Sequence, residues 1–254
     1  MEFSKISKKA SIGGNVTIGE YTIINDDVFV GDGCIIGNNV VLEDGARLGN
    51  NVKIGHGSII GGVPQDLKFE GEATTAEIGD GTTIREYTTI NRGTKHSGTT
   101  KDGKDCFIMS YVHLAHDCVV NNNVIIANAV NMAGHVEIDD FAFIGGLAAL
   151  HQFIKIGKHI MIGAACKAVK DVPPFILAGN EPLKYEGVNI VGLRRKGFSN
   201  EQIGNIRDAY DIIYRSGYNV SDAVKKIEAE MEKTAEINEI LSFIKKSERG
   251  LLRG

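Results

Sequence analysis

An aliphatic residue recurs at every sixth position along most of this chain, and that rhythm limits the fold more than any other property of the sequence. It runs through Ile6, Ile12, Ile18, Ile24, Val30, Ile36, Leu42, Leu48, Ile54 and Ile60. It resumes at Ile78, Ile84 and Ile90, and again from Ile108 through Leu114, Val120, Ile126, Met132, Ile138, Ile144, Leu150 and Ile156 to Ile162. Four residues after each aliphatic one comes a small or β-branched residue, as at Ala10, Val16, Thr22, Val28, Cys34, Val40, Ala46 and Val52. A period of six suits neither an amphipathic helix nor an alternating strand. It suits short strands joined by corners, three to a coil, so that 18 residues make one turn of a triangular prism with both residue types pointing inward. The expected fold is an all-β solenoid, a left-handed parallel β-helix of hexapeptide repeats. Gly13, Gly19, Gly31, Gly37, Gly49 and Gly55 follow the aliphatic residue and are expected to supply positive φ at the corners. Cys34, Cys118 and Cys166 fall in the small slot and read as core filler.

The rhythm breaks near 61–77 and 91–107, where loops are expected to leave the prism. It ends after Cys166, at Val172-Pro173-Pro174-Phe175, and a helical pattern follows. Ser199 with Gln202 forms a capping-box pattern ahead of Ile203, Ile206, Tyr210, Ile213 and Tyr214, with Gly217 as a stop. Thr234 opens a last helix carrying Ile237, Ile240, Leu241 and Ile244. The expected division is therefore a β-helix over 1–171 and a helical domain of about three helices over 172–254. The net charge of −4 gives no sign of nucleic-acid binding. The four cysteines have no CxxC spacing, which favours reduced thiols over disulfides or structural zinc. No secretory signal is read in MEFSKISKKA and no apolar run is long enough to span a membrane, so the expected location is cytoplasmic.

Four of the seven histidines, His113, His116, His135 and His151, fall between positions 113 and 151. Residues 18 apart stack on adjacent coils about 4.8 Å apart. His116, Gly134 and Gln152 therefore share one column, and Asp117 and His135 the next. A histidine base beside a glycine amide suits acyl transfer: His116 takes a hydroxyl proton, the Gly134 N–H faces the oxyanion and Asp117 fixes the imidazole tautomer. Adjacent side chains on a flat strand diverge, so this pairing needs a corner near 116–117. Zinc sites of β-helix proteins carry an HxxxxH pair, whereas this chain has His113-x-x-His116; no metal is expected.

His113-Leu114-Ala115-His116-Asp117-Cys118, Ala133-Gly134-His135, His151-Gln152-Phe153, Gln65-Asp66-Leu67-Lys68 and Tyr214-Arg215-Ser216-Gly217 together resemble the UDP-N-acetylglucosamine O-acyltransferases, which open lipid A biosynthesis. The resemblance runs over essentially the whole chain. It implies transfer of an (R)-3-hydroxyacyl chain from acyl carrier protein to the 3-hydroxyl of UDP-N-acetylglucosamine. It also implies a homotrimer with sites between adjacent prisms and no cofactor. By motif match His116 is the general base, Asp117 its partner and Gly134 the oxyanion donor. Asp66 and Lys68 match loop residues that contact substrate, His113, His135, His151 and Gln152 line the cleft, and Asn189 and Arg195 match positions near the nucleotide. Three residues depart from the pattern: Asn91 stands where many members have histidine, Val191 replaces an acidic residue, and Lys196 replaces an arginine, losing its bidentate fork.

Ala164, one coil from Gly146, is a candidate floor for the acyl groove. Lys155, Lys158, Lys167, Lys170 and the run Arg194 to Lys196 are candidates for docking an acidic carrier protein. Two other functions fit the repeat: a hexapeptide acyltransferase forming an amide on a 3-amino sugar nucleotide, and a non-catalytic structural solenoid. An N-acyltransferase with a preceding uridine-binding domain fits less well, because the repeat already begins at Ile6.

Overall fold

In the computed structural model, which describes residues 3–254, the hexads form three parallel sheets that enclose a triangular prism, a left-handed β-helix. Most strands are two residues long, an outward residue followed by an inward one, as in Phe29–Val30 and Ile35–Ile36. Each pairs with the strand one coil on, Lys5 with Ile23 and His113 with Asn131, a step of 18 residues. From Ile24 onward the inward aliphatic residues and most of the small-slot residues are buried in one continuous core. Each such aliphatic side chain adds about 1.5–3 kcal/mol of burial free energy.

The corners correct one expectation about glycine. Positive φ falls two residues after the glycines named above, at Asn15, Tyr21, Gly33, Asn39, Asn51 and Gly57. The glycines are needed for close stacking instead. A Cβ on Gly31 would lie 2.6 Å from the Gly49 carbonyl carbon, and one on Gly55 would lie 2.6 Å from the Glu86 nitrogen. Corner amides are capped by side chains one coil on. Asp32 N–H donates to Asn50 Oδ1 at 2.9 Å, Asn50 N–H to Asp80 Oδ1 at 2.9 Å and Asn122 N–H to Asp140 Oδ1 at 2.8 Å. Inside the prism the small slot donates too: Thr22 Oγ1 reaches the Gly37 carbonyl, and the thiols of Cys34, Cys106 and Cys118 reach those of Gly49, Asn121 and Ala133. The buried cysteines are therefore weak donors as well as filler.

Both breaks leave the prism at one edge, between the sheet containing His113–Leu114 and the sheet containing Val119–Val120. Ile59 pairs with Thr89 and Thr89 with His113, steps of 30 and 24 residues (59 to 89, 89 to 113). The first loop is confined to residues 63–74, between the strands Ile59–Gly62 and Thr75–Ile78. The second is much shorter than 91–107: it covers residues 92–98, and the ladder is already restored at Thr99–Asp102. Asp102 hid that strand, because it stands in the inward slot between Ile78 and Val120. It is 1% exposed.

After the last coil an antiparallel pair, Ile176–Gly179 with Lys184–Val188, extends the third sheet. Four helices follow among the described residues: α1 (Ile190–Arg195), α2 (Asn200–Tyr214), α3 (Val220–Glu230) and α4 (Ala235–Lys246). Ser199 and Gln202 form the expected capping box on α2, and Thr234 caps α4. The apolar faces of α2, α3 and α4 join the same core, and the Tyr210 hydroxyl donates to the Pro174 carbonyl at 2.6 Å, tying α2 to the end of the prism. The chain then turns back, with bridges from Leu251 to Asp171 and from Arg253 to Lys184. No helix among the described residues is long and apolar enough to cross a membrane.

Candidate active site

His116 and Asp117 occupy the corner between the strands His113–Leu114 and Val119–Val120, at the edge from which both loops emerge. Asp117 has φ +60, and this left-handed residue abolishes the strand alternation that would have driven the two side chains apart. His116 Nδ1 lies 2.8 Å from Asp117 Oδ2. A carboxylate accepts only, so Nδ1 carries a proton, and in the neutral ring the lone pair is on Nε2.

Asp117 is buried, and the second loop wraps its carboxylate. Thr94 donates from N to Oδ1 at 3.0 Å and from Oγ1 to Oδ2 at 2.7 Å, while Ser97 donates to Oδ1 from both N and Oγ. The Asp117 N–H donates to Thr100 Oγ1 at 2.8 Å. Burial alone pushes this carboxyl up, but the bonds from Ser97, His116 and Thr94 outweigh it and hold the group well below the usual carboxylate range. Asp117 is thus a fixed anion behind His116.

Gly134 stands one coil on, and a Cβ there would lie 2.7 Å from His116 Cε1 and 2.9 Å from Nε2. Only a glycine lets the next coil pass so close to the ring. The side chain that would cap a corner amide at this position belongs to Gln152, and no acceptor for the Gly134 N–H is found among the described residues. The His116 ring and an uncapped backbone amide are therefore neighbours at this corner.

His135 completes the corner, its Nε2 3.9 Å from Asp117 Oδ2 and its ring stacked on Phe153 at 4.3 Å. Burial pushes it below the ordinary histidine value, aided by His116 and His96 and opposed by Asp117 and Asp66. His113 is likewise pushed down by burial and by His116, and its Nδ1 lies 2.8 Å from Thr89 Oγ1. The ligand atoms of His116, Asp117 and His135 come within 4.8 Å of one another, close enough to hold a cation. Both carboxylate oxygens are already occupied by N–H and O–H donors, which suits an orienting carboxylate better than a metal ligand.

The remaining predicted residues are spread over the prism. Asp66 lies in the first loop, near enough to His135 to act on it electrostatically, and its Oδ1 accepts from the Lys68 N–H at 3.0 Å. Lys68 is exposed. His151 and Gln152 follow one coil beyond Ala133 and Gly134 at the same edge. Asn189 and Arg195 lie elsewhere, at the N-cap and the last residue of α1, against the edge that carries Phe141 and His159. Asn189 caps α1 by accepting from Gly192 N–H and donates to the His159 carbonyl. Ala164 is exposed at the third edge, one coil beyond Gly146. One chain thus brings together His116, Asp117, Gly134 and His135 but leaves Asn189, Arg195 and Ala164 at other edges.

Of the three departures, Asn91 is buried and donates from Nδ2 to the Val63 carbonyl at 3.0 Å, pinning the root of the first loop. Val191 is exposed, and Lys196 Nζ sits 4.4 Å from the Phe141 ring centroid. Among the candidate docking lysines, Lys155 pairs with Glu248, Lys158 with Glu239, and Lys170 donates to the Arg249 carbonyl. Sequence reasoning passed over Thr94, Ser97 and His96, all within the second break. Their only signal was the break itself.

Comparison with known proteins bears on this corner. Residues 171–252 match the family described as Udp N-acetylglucosamine O-acyltransferase, domain 2, and residues 27–62 match the bacterial transferase hexapeptide repeat. The chain is 44% identical over 195 residues to an acyl-[acyl-carrier-protein]–UDP-N-acetylglucosamine O-acyltransferase of Thiobacillus denitrificans, covering 76% of each chain. Its structure superposes on a UDP-N-acetylglucosamine acyltransferase from Bacteroides fragilis with TM-score 0.98 and 48% identity, covering 100% of this chain and 99% of that one. A UDP-N-acetylglucosamine O-acyltransferase from Moraxella catarrhalis gives TM-score 0.96 at 36% identity, covering 100% and 99%.

Proposed function

The chain belongs to the UDP-N-acetylglucosamine O-acyltransferase family, and from that premise we propose how its His116 corner moves an acyl group from acyl carrier protein to UDP-N-acetylglucosamine. The carrying observation is the convergence of the His116–Asp117 pair and the Gly134 amide at one corner. His116 Nε2 takes the proton of the sugar hydroxyl as its oxygen attacks the acyl carbonyl carbon. Negative charge gathers on the carbonyl oxygen, where the Gly134 N–H donates to it. Asp117 stabilises the imidazolium that forms. The bond between the acyl carbon and the carrier then breaks, and His116 returns its proton to the departing group, so the base is restored.

The acyl chain is an (R)-3-hydroxyacyl chain and the acceptor is the 3-hydroxyl, with Asp66 and Lys68 at the reacting end and His113, His135, His151 and Gln152 along the cleft. Asn189 and Arg195 serve the nucleotide and Ala164 the acyl groove. The positions of those three at other edges support a homotrimer, in which an adjacent copy brings them to the His116 edge. The division into a β-helix over 1–171 and a helical domain over 172–254 separates catalysis from nucleotide contact. A cytoplasmic location belongs to the same reading.

Purified protein supplied with hydroxyacyl carrier protein and UDP-N-acetylglucosamine should yield the O-acylated nucleotide sugar. His116→Ala should lower kcat by roughly 10²–10⁴, the usual worth of a general base. Near-normal turnover in that variant would overturn the mechanism, and a preference for the 3-amino sugar nucleotide would shift the acceptor to an amine.

A further inference from the structure

We infer that Arg249, in the segment after α4, is a positioning residue that decides which ring nitrogen of His151 carries the proton. His151 Nδ1 has two neighbours: Arg249 Nη2 at 3.2 Å and the Gln152 carbonyl oxygen at 3.1 Å. A guanidinium only donates and a carbonyl only accepts, so Nδ1 can satisfy one of them and not both. Bonded to Arg249, Nδ1 offers its lone pair and the proton sits on Nε2, which becomes a donor. Bonded to Gln152, Nδ1 holds the proton and Nε2 becomes an acceptor. The positive charge of Arg249 opposes a proton on Nδ1 and so selects the first state.

Arg249 is held in place for this contact rather than drifting past it. Its N–H donates to Asp171 Oδ2 at 3.2 Å and its carbonyl accepts from Lys170 Nζ at 2.8 Å. Asp171 is fully buried in the last coil and also accepts from the Lys155 N–H and the Ser247 hydroxyl. On either side of Arg249 the backbone is pinned again, with Asp171 N–H donating to the Gly250 carbonyl and Leu252 N–H to that of Asp171. The neighbouring Glu248 is taken by Lys155. Among the described residues no carboxylate pairs with the Arg249 guanidinium, so ordering this long side chain serves a histidine instead of an ion pair. The consequence is that an oxygen of the substrate, a hydrogen-bond acceptor, meets an N–H at His151.

The inference rests on the reading of His151 as a cleft residue, and its test separates the two. Nitrogen-15 resonances of histidine-labelled full-length protein, recorded without substrate, report the tautomer directly. Wild-type His151 should show a protonated Nε2 and an unprotonated Nδ1. Arg249→Met should move the proton to Nδ1, and Arg249→Lys, which keeps a cationic donor, should leave it on Nε2. In turnover, kcat/KM for the nucleotide sugar should fall about 10-fold in Arg249→Met, the worth of one hydrogen bond, and recover in Arg249→Lys. A wild-type His151 protonated on Nδ1 overturns the inference even if the methionine variant fails to fold, as does a folded methionine variant with unchanged tautomer. Absence of sugar acylation with the expected tautomer sinks only the functional reading.

Discussion

A methyl group at position 134 would press on the His116 ring at Cε1 and Nε2, the latter being the atom proposed to take the substrate's proton. Gly134→Ala should therefore cut kcat by about 10²-fold, the cost of displacing a reacting group by roughly 1 Å, with little change in thermal unfolding. A second residue-scale prediction concerns Asp102. Burial in the apolar prism pushes its carboxyl up to about 7, and neither oxygen has a hydrogen-bond partner among the described residues. Unfolded, an aspartate ionises near pH 3.9. Between there and about pH 7 the folded chain keeps a proton that the unfolded chain has lost, so stability falls as pH rises, by roughly 4 kcal/mol in all. Asp102→Val should remove that slope, and unfolding midpoints at pH 4 and pH 8 should show a much larger gain at pH 8. His116, Asp117 and Gly134 could be placed in sequence because columns 18 apart are countable. The donors on Asp117 could not, since nothing in the spacing ties Thr94 and Ser97 to a residue some 20 positions on.

The loop of residues 92–98 is the element on which the proposed base depends, because it supplies four donors to the carboxylate behind His116. With Thr94→Val and Ser97→Ala together, burial is left less opposed and the Asp117 carboxyl rises. The folded value in the wild type lies below the unfolded one, so this group adds stability above about pH 4 and loses it as pH falls. The advantage of wild type over the double variant should be complete at pH 7 and should shrink below pH 4, as denaturant titrations at the two pH values would show. At this scale the long elements were legible: the capping box of Ser199 and Gln202 announced α2. The short ones were not. The pair Ile176–Gly179 with Lys184–Val188 and the six-residue α1 are too brief to show a period, and the second loop looked longer because Asp102 broke the apolar count without breaking the strand.

The proposed site residues lie on three different edges of the prism: the His116 corner on one, α1 with Asn189 and Arg195 on another, Ala164 on the third. If adjacent copies complete each site, two defective chains can mend one another. Chains carrying His116→Ala and chains carrying Arg195→Ala, refolded together at equal amounts, should recover about a quarter of wild-type activity, the fraction of interfaces that pair an intact His116 with an intact Arg195. Mixtures no more active than the separate variants would place the whole site within one chain. A stack of parallel coils also has raw ends, each a row of unpaired amides that another strand could continue. Here the returning segment and its Asp171 clasp lie across the last coil, and the strand pair before α1 covers the third sheet. The same few residues that reach His151 therefore act as a stopper, keeping one solenoid from growing into a fibre on the end of the next.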